Sequence, residues 1–234
     1  MDVLQDYLAH MWAVMPALLK GAALTIEITL FSVFFGVIIG LMVCLCRISK
    51  RKWLNLPALA YIDVVRGTPL LVQILMIYFG VPSLLSALLG SPVQVSGLTA
   101  GIIACSINSG AYVSEIIRAG IQSIDPGQME AARSLGMNHV QSMVHVILPQ
   151  AFRNIVPPMG NEFIVLLKDS SLLSVIGVNE LMQNGKLYAA SEYAHFPAYL
   201  AIAVVYLIMT FSISRIVGVI EKRMKVSDRS TQSA

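Results

Sequence analysis

The sequence predicts an all-α membrane protein with five transmembrane helices, and three observations lead there. Hydrophobic residues make up 56% of the 234-residue chain and charged residues only 12%. A water-soluble domain carries about 25% charged residues, so this chain lacks the polar material to cover a globule; its mean hydropathy of +0.74 makes lipid its main solvent. The apolar residues gather in runs near the ~20 residues a helix needs to cross a ~30 Å hydrocarbon core. Basic residues cluster between those runs on alternate sides.

Residues 1–16 form a short, acidic extracytoplasmic segment without the basic region and short apolar core of a cleaved signal. A single membrane domain covers 17–222, with spans over about 18–46, 57–80, 98–117, 153–168 and 197–220. Arg47, Lys50, Arg51 and Lys52 follow the first span, whereas Asp2 and Asp6 precede it, so the positive-inside rule puts the N-terminus outside and the C-terminus in the cytoplasm. Alternation then leaves Val81 to Gly97 and Asp169 to His195 outside and Arg118 to Arg153 inside. The inside stretch, about 119–150, carries helix formers after the turn signal Asp125-Pro126-Gly127 and is expected to fold as short cytoplasmic helices. Residues 223–234 form a cytoplasmic tail that is expected to fray from the Ser-rich stretch at Ser227.

The net charge of +3 does not argue for nucleic acid, because the basic clusters lack interleaved aromatic residues and orient the chain in a bilayer instead. Cys44, Cys46 and Cys105 lie in apolar runs without the paired spacing of a metal or haem site, and His139 and His145 lack further ligands.

The cytoplasmic stretch reads Glu130-Ala131-Ala132, then Gly136 after three residues, then Val146 and Leu148-Pro149. This resembles the EAA loop of ABC importer permeases at full spacing, with Val146 where the family usually has isoleucine. Arg66-Gly67-Thr68-Pro69, Asn108-Ser109-Gly110-Ala111-Tyr112 and the run from Pro157-Pro158 to Lys168-Asp169-Ser170-Ser171 look like the polar amino acid branch of glutamine, histidine and arginine systems. The resemblance covers nearly the whole chain and implies a type I ABC importer permease in the bacterial plasma (inner) membrane. It implies as partners ABC ATPase subunits that dock on the loop, a second permease copy or related permease, an extracytoplasmic substrate-binding protein and a polar amino acid. Read from the residues alone, Ala131 and Ala132 let another backbone approach, Gly136 breaks the helix and Pro149 starts the next segment. The chain has no G-x-x-x-x-G-K-[ST] loop, so it is expected to need no cofactor of its own and to leave ATP to the partner.

Ionisable groups at membrane depth face a bundle interior or a watery path. Asp63 and Arg66 are three residues apart, as are Glu115 and Arg118, and each pair is expected to form a structural or gate-lining ion pair, with direct substrate contact the alternative for Asp63 and Arg66 and with Tyr112 one turn before Glu115. The expected substrate path is Arg66, Thr68, Gln73, Tyr112, Glu115, Glu162, Lys168, Asp169 and Ser170. Gln73, a turn or more beyond Thr68, needs a polar partner. Span four is expected to break at Asp169-Ser170-Ser171, with a Ser or Asp capping a second helix from about Leu172 to Asn184 whose free amides, helped by Lys168, would read a carboxylate. Glu162 would meet an amino group or a polar side chain of the substrate, or else a neighbouring span. Two other classes compete: an intramembrane enzyme, for which no G-x-S-x-G or H-E-x-x-H pattern exists, and an ion-coupled carrier, for which no inverted repeat is detectable.

Overall fold

The structure is a computed structural model that describes the backbone of residues 3–232 and the side chains of residues 3–224. It is helical throughout: α1 (Val3–Ile48), α2 (Lys52–Gly67), α3 (Leu70–Leu75), α4 (Val81–Leu89), α5 (Gly97–Gln122), α6 (Pro126–Ser134), α7 (His139–Ser142), α8 (Leu148–Asp169), α9 (Leu181–Ser191) and α10 (His195–Gln232). Wide π turns join α3 to α4 over Met76–Gly80 and α7 to α8 over Met143–Ile147.

Four helices among the described residues are long and apolar enough to cross a membrane: Val3–Ile48, Leu70–Leu89, Gly97–Gln122 and His195–Met224. The expected fourth span, α8, has the length, 22 residues, but a polar side bearing Asn154, Glu162 and Asp169. Large apolar side chains face outward instead, such as Phe34 at 60% and Phe211 at 56% exposure, as a surface bathed in lipid requires.

Three boundaries differ from expectation. Residues 3–16, expected as a short segment ahead of the first span, form the first turns of α1, which at 46 residues is about 69 Å long, more than twice the hydrocarbon core; residues 1 and 2 lie outside the described residues. The second expected span, 57–80, is two helices: Thr68 sits before Pro69, which drives it into extended backbone at φ −120° and ψ 144°, and the apolar crossing helix runs on to Leu89 rather than ending at Gly80. The loop between this helix and α5, expected on the outside, therefore starts at Gly90, in left-handed backbone at φ 68°. At the other end α10 stays helical through the stretch expected to fray, as far as Gln232, and only the last two residues of the expected tail lie outside the described residues.

Two apolar clusters hold the bundle. One joins Ile28 of α1, Ile74 of α3, Ala104 and Cys105 of α5, Leu166 of α8 and Leu173 beyond it. The second joins Val14 and Leu18 of α1 to Leu181 of α9 and Ile202 of α10. Gly21 makes the α1–α9 crossing possible, because a Cβ there would lie 2.7 Å from the backbone of Leu181. The α1–α2 turn is tied by Asn55, whose side-chain amide donates to the Arg47 carbonyl.

Candidate functional site

A cleft of about 430 Å³ lies where the C-terminal end of α2, the middle of α5 and the C-terminal half of α8 converge. Its polar lining is Arg66, Thr68, Asn108, Tyr112, Glu162 and Asp169, with Val165 and Leu166 as apolar floor. Helix geometry explains the set. At about 100° per residue, Asp169 lies within about 20° of Glu162 on α8, while Lys168 is turned about 120° away. Asn108 and Tyr112 are one turn apart on α5.

Arg66 lies in the last turn of α2, where a cation suits the negative end of the helix dipole. Its guanidinium carbon stands 5.2 Å from the centroid of the Tyr112 ring, a cation–π contact between α2 and α5. The expected Asp63–Arg66 ion pair is not among the salt bridges of the described residues; the aromatic face takes the place of the carboxylate. The second expected pair forms: Arg118 Nη2 lies 2.7 Å from Glu115 Oε2, and its Nε donates to Oε1 at 3.0 Å.

Gln73 finds the polar partner it needs at the helix break. Its Nε2 donates to the Val65 carbonyl at 2.8 Å and lies within reach of the Thr68 carbonyl at 3.1 Å and the Thr68 hydroxyl at 3.0 Å. Its Oε1 accepts from Asn108 Nδ2 at 3.0 Å. One side chain thus satisfies carbonyls that Pro69 and the chain break leave without helical donors, and ties the break to α5. Tyr61 of α2 adds a second tie, its hydroxyl donating to the Ile107 carbonyl at 2.5 Å.

The end of α8 departs from expectation. Ser170 caps nothing: it is buried, its hydroxyl donates to the Leu167 carbonyl at 2.7 Å, and Ser170–Ile176 continues as a tight 3₁₀ helix. The next α-helix starts at Leu181 rather than Leu172, and its cap is Glu180, not a Ser or Asp. The fully buried Glu180 carboxylate accepts from Met182 N and Gln183 N, both at 2.8 Å, and from the Tyr206 hydroxyl at 3.1 Å, while Thr25 Oγ1 accepts from Leu181 N at 3.2 Å. The amides of Leu181, Met182 and Gln183, which open the second helix, are therefore occupied within the chain. Lys168 is exposed and outside the cleft lining.

Of the expected path residues, the cleft brings together Arg66, Thr68, Tyr112, Glu162 and Asp169, with Gln73 behind Asn108. Glu115 lines a neighbouring cavity, and Lys168 and Ser170 line neither. Sequence reasoning missed Asn108 and Glu180. An amide four residues before Tyr112 on an apolar helix was a readable signal for the first; for the second, the signal was an acid directly before a helix start.

In the EAA stretch, Glu130 and Ala131 are exposed on α6, but Ala132 is buried at 4% exposure and packs within its own chain. The helix ends in a Schellman closure: Met137 N bonds the Ala132 carbonyl, Gly136 N bonds that of Arg133, and Gly136 has φ +87°. Beside this turn Leu135 is 83% exposed and Val140 67%. Asn138 and Gln141 then form a capping box that starts α7, and Leu148 and Pro149 open α8.

A bundle of lipid-facing helices around a charged cleft, with a short helical segment exposed at one end, defines a permease subunit of the inner-membrane transport class. The sequence profile described as binding-protein-dependent transport system inner membrane component matches residues 32–226, and the chain belongs to that family. It is 38% identical to the glutamine transport system permease protein GlnP of Escherichia coli, over 92% of this chain and 96% of that one. It is likewise 38% identical to the arginine transport system permease protein ArtQ of Bacillus subtilis, over 91% and 94%. A solved amino acid ABC transporter, crystallised with histidines, superposes with a TM-score of 0.86 at 45% identity, covering 95% of this chain and 100% of that one. The methionine transporter MetNI, at 22% identity and a TM-score of 0.72, shares the fold.

Proposed function

We infer that the chain is the membrane-spanning permease subunit of an ATP-binding-cassette importer of polar L-amino acids, and that the Arg66–Asp169 cleft is where the amino acid rests. The relatives at 38% identity are glutamine and arginine permeases over almost their whole length. The observation that carries the reading is the charge arrangement of the cleft. One guanidinium, Arg66, lies opposite two carboxyls, Glu162 and Asp169, with the Thr68 hydroxyl and the Asn108 amide between them. A zwitterion matches that set: its carboxylate to Arg66, its ammonium to the acids. Its volume of about 430 Å³ falls within the ~300–1,000 Å³ of small-molecule sites. Arg66 takes the role expected of Lys168, because Arg66 lines the cleft and Lys168 does not.

As a binding-protein-dependent permease the chain works with an ATPase and a substrate-binding protein. The finer arrangement belongs to the proposal. Two permeases pair and close the open side of the cleft. ATPase subunits dock on α6, the Gly136 turn and Leu148-Pro149, meeting Glu130, Ala131 and the exposed Leu135. ATP is bound by those subunits, and the N-terminus lies outside. The test is uptake by vesicles reconstituted with the ATPase and binding protein, ion gradients collapsed, across a panel of amino acids. ATP-dependent uptake is expected, lost for all substrates in Arg66→Met, weakened for all of them in Glu162→Gln and kept in Lys168→Met. Uptake that dies with the ion gradient would identify a secondary carrier instead.

A further inference from the structure

A second cavity, about 520 Å³, lies beside the cleft toward the C-terminal end of α5. Glu115, Arg118, Ser123 and Asn154 give it a polar lining. Among the described residues only two line both cavities, Arg66 and Tyr112, the two that stack on one another. We propose that this stack is the partition between an upper chamber that receives the amino acid and a lower chamber that delivers it to the cytoplasm, and that each transport event parts Arg66 from the Tyr112 ring. The proposal rests on the transport reading above, in which a paired permease closes the side where Arg66 and Tyr112 are exposed in the single chain.

Both chambers have the size and polarity for a small zwitterion. The lower one offers the Glu115–Arg118 pair, and Arg66, which also lines the upper chamber, lies within electrostatic reach of Glu115. A guanidinium on an aromatic face is a suitable latch, since it excludes water along the ring yet exchanges for a carboxylate, which binds it bidentately and more strongly. The latch is also held in register. Gln73 grips the carbonyls of Val65 and Thr68 on either side of Arg66-Gly67, and bonds Asn108 one turn before Tyr112. That network sets the distance between the two halves of the stack.

The test is the reaction of a cysteine in the upper chamber with a membrane-impermeant, amino-acid-sized thiol reagent added to sealed inside-out vesicles bearing the full transporter. The reporter is Val165→Cys, with Cys44, Cys46 and Cys105 replaced by alanine. Labelling is expected to be slow with the stack intact and with Tyr112→Phe, which keeps the ring, and faster by about tenfold with Tyr112→Ala or with Arg66→Ser. Ala119→Cys, in the lower chamber, should label quickly in every background, which verifies sidedness and assembly. Two opening variants on different helices keep the test decisive if one fails to accumulate. Equal labelling of Val165→Cys in all backgrounds, or equal acceleration by Tyr112→Phe and Tyr112→Ala, overturns the partition. ATP-driven release of amino acid from the lumen of the same vesicles, loaded with substrate and binding protein, separates this failure from that of the transport reading, because fast labelling with the stack intact and normal ATP-driven release removes the partition alone.

Discussion

Replacing Glu180 by alanine should destabilise the chain more than any change in the cleft, although Glu180 lies outside it. The carboxylate is fully buried and holds three donors: the amides of Met182 and Gln183 at 2.8 Å and the Tyr206 hydroxyl at 3.1 Å. A buried donor left without an acceptor costs about 1–3 kcal/mol, and loss of a helix N-cap costs about 0.5–2 kcal/mol. Met182 and Gln183 are only half-buried, so water recovers part of the loss, and removing a buried carboxylate returns part of its desolvation cost. The net expectation is about 2–4 kcal/mol. At roughly 2–4 °C per kcal/mol for a chain of this size, the melting temperature in detergent should fall by roughly 5–15 °C. Glu180→Gln keeps one acceptor but turns an amide N–H toward a backbone N–H, and should lose about half as much. Tyr206→Phe removes one bond and should cost about 1 kcal/mol. Thermal melts monitored by size-exclusion chromatography give the ranking directly. A Glu180→Ala protein that melts with the parent, or one more stable than Glu180→Gln, would refute the capping argument.

Gln73→Leu should strand the Val65 and Thr68 carbonyls and Asn108, lowering stability by about 2–3 kcal/mol and slowing uptake, whereas Gln73→Glu keeps the bond from Asn108 but loses the donors; melts and transport assays on both distinguish the two sides of the network. Gly136→Leu puts a side chain at φ +87°, where nothing crowds it but the backbone disfavours it; insertion should be normal while binding-protein-stimulated ATPase activity is lost, and normal stimulation would remove α6 and its turn from the docking surface. A cysteine at Ser91, in the exposed outer loop, should react with an impermeant reagent added to intact cells, while one at exposed Gln141 should not; the reverse pattern would invert the topology.

The fold class was legible because lipid imposes the simplest of patterns. Apolar runs long enough to cross the bilayer identify α1, α5 and α10 directly. The boundaries were less legible, since helix formers such as Leu4, Leu8 and Trp12 extend α1 beyond the bilayer at no cost in backbone hydrogen bonding, and nothing in hydropathy marks where lipid ends. Pro69 was visible, yet whether a proline bends a span or divides it depends on a partner for the freed carbonyls, and that partner, Gln73, becomes meaningful only with Asn108 beside it. The charged residues of the cleft could be named one at a time from their cost in lipid. Their grouping could not, because it depends on which faces of α2, α5 and α8 meet. Lys168 and Asp169 show the difference, being neighbours in sequence and on different sides of one helix. The second helix looked free to offer amides because its start was placed near Leu172; a 3₁₀ turn delays it to Leu181, where Glu180 accepts from Met182 and Gln183 just ahead of it.

The helical path from α7 through the π turn into α8 contains no loop, so His139 and Asp169 lie on one continuous rod. From Ser142 to Glu162 that rod measures about 30 Å at 1.5 Å per residue. If ATPase subunits dock at the α7 end as proposed, an axial push there would meet no loop before the two acids, only the joint at Pro157-Pro158, where the missing N–H groups leave the carbonyls of Arg153 and Asn154 outside the helical ladder. In that proposed cycle the stroke would move Glu162 and Asp169 along the rod axis past Arg66, which belongs to a different helix. A shift of a single helical rise would misalign the acids and the guanidinium by about 1.5 Å, enough to convert a site that holds both ends of a zwitterion into one that holds only one end at a time.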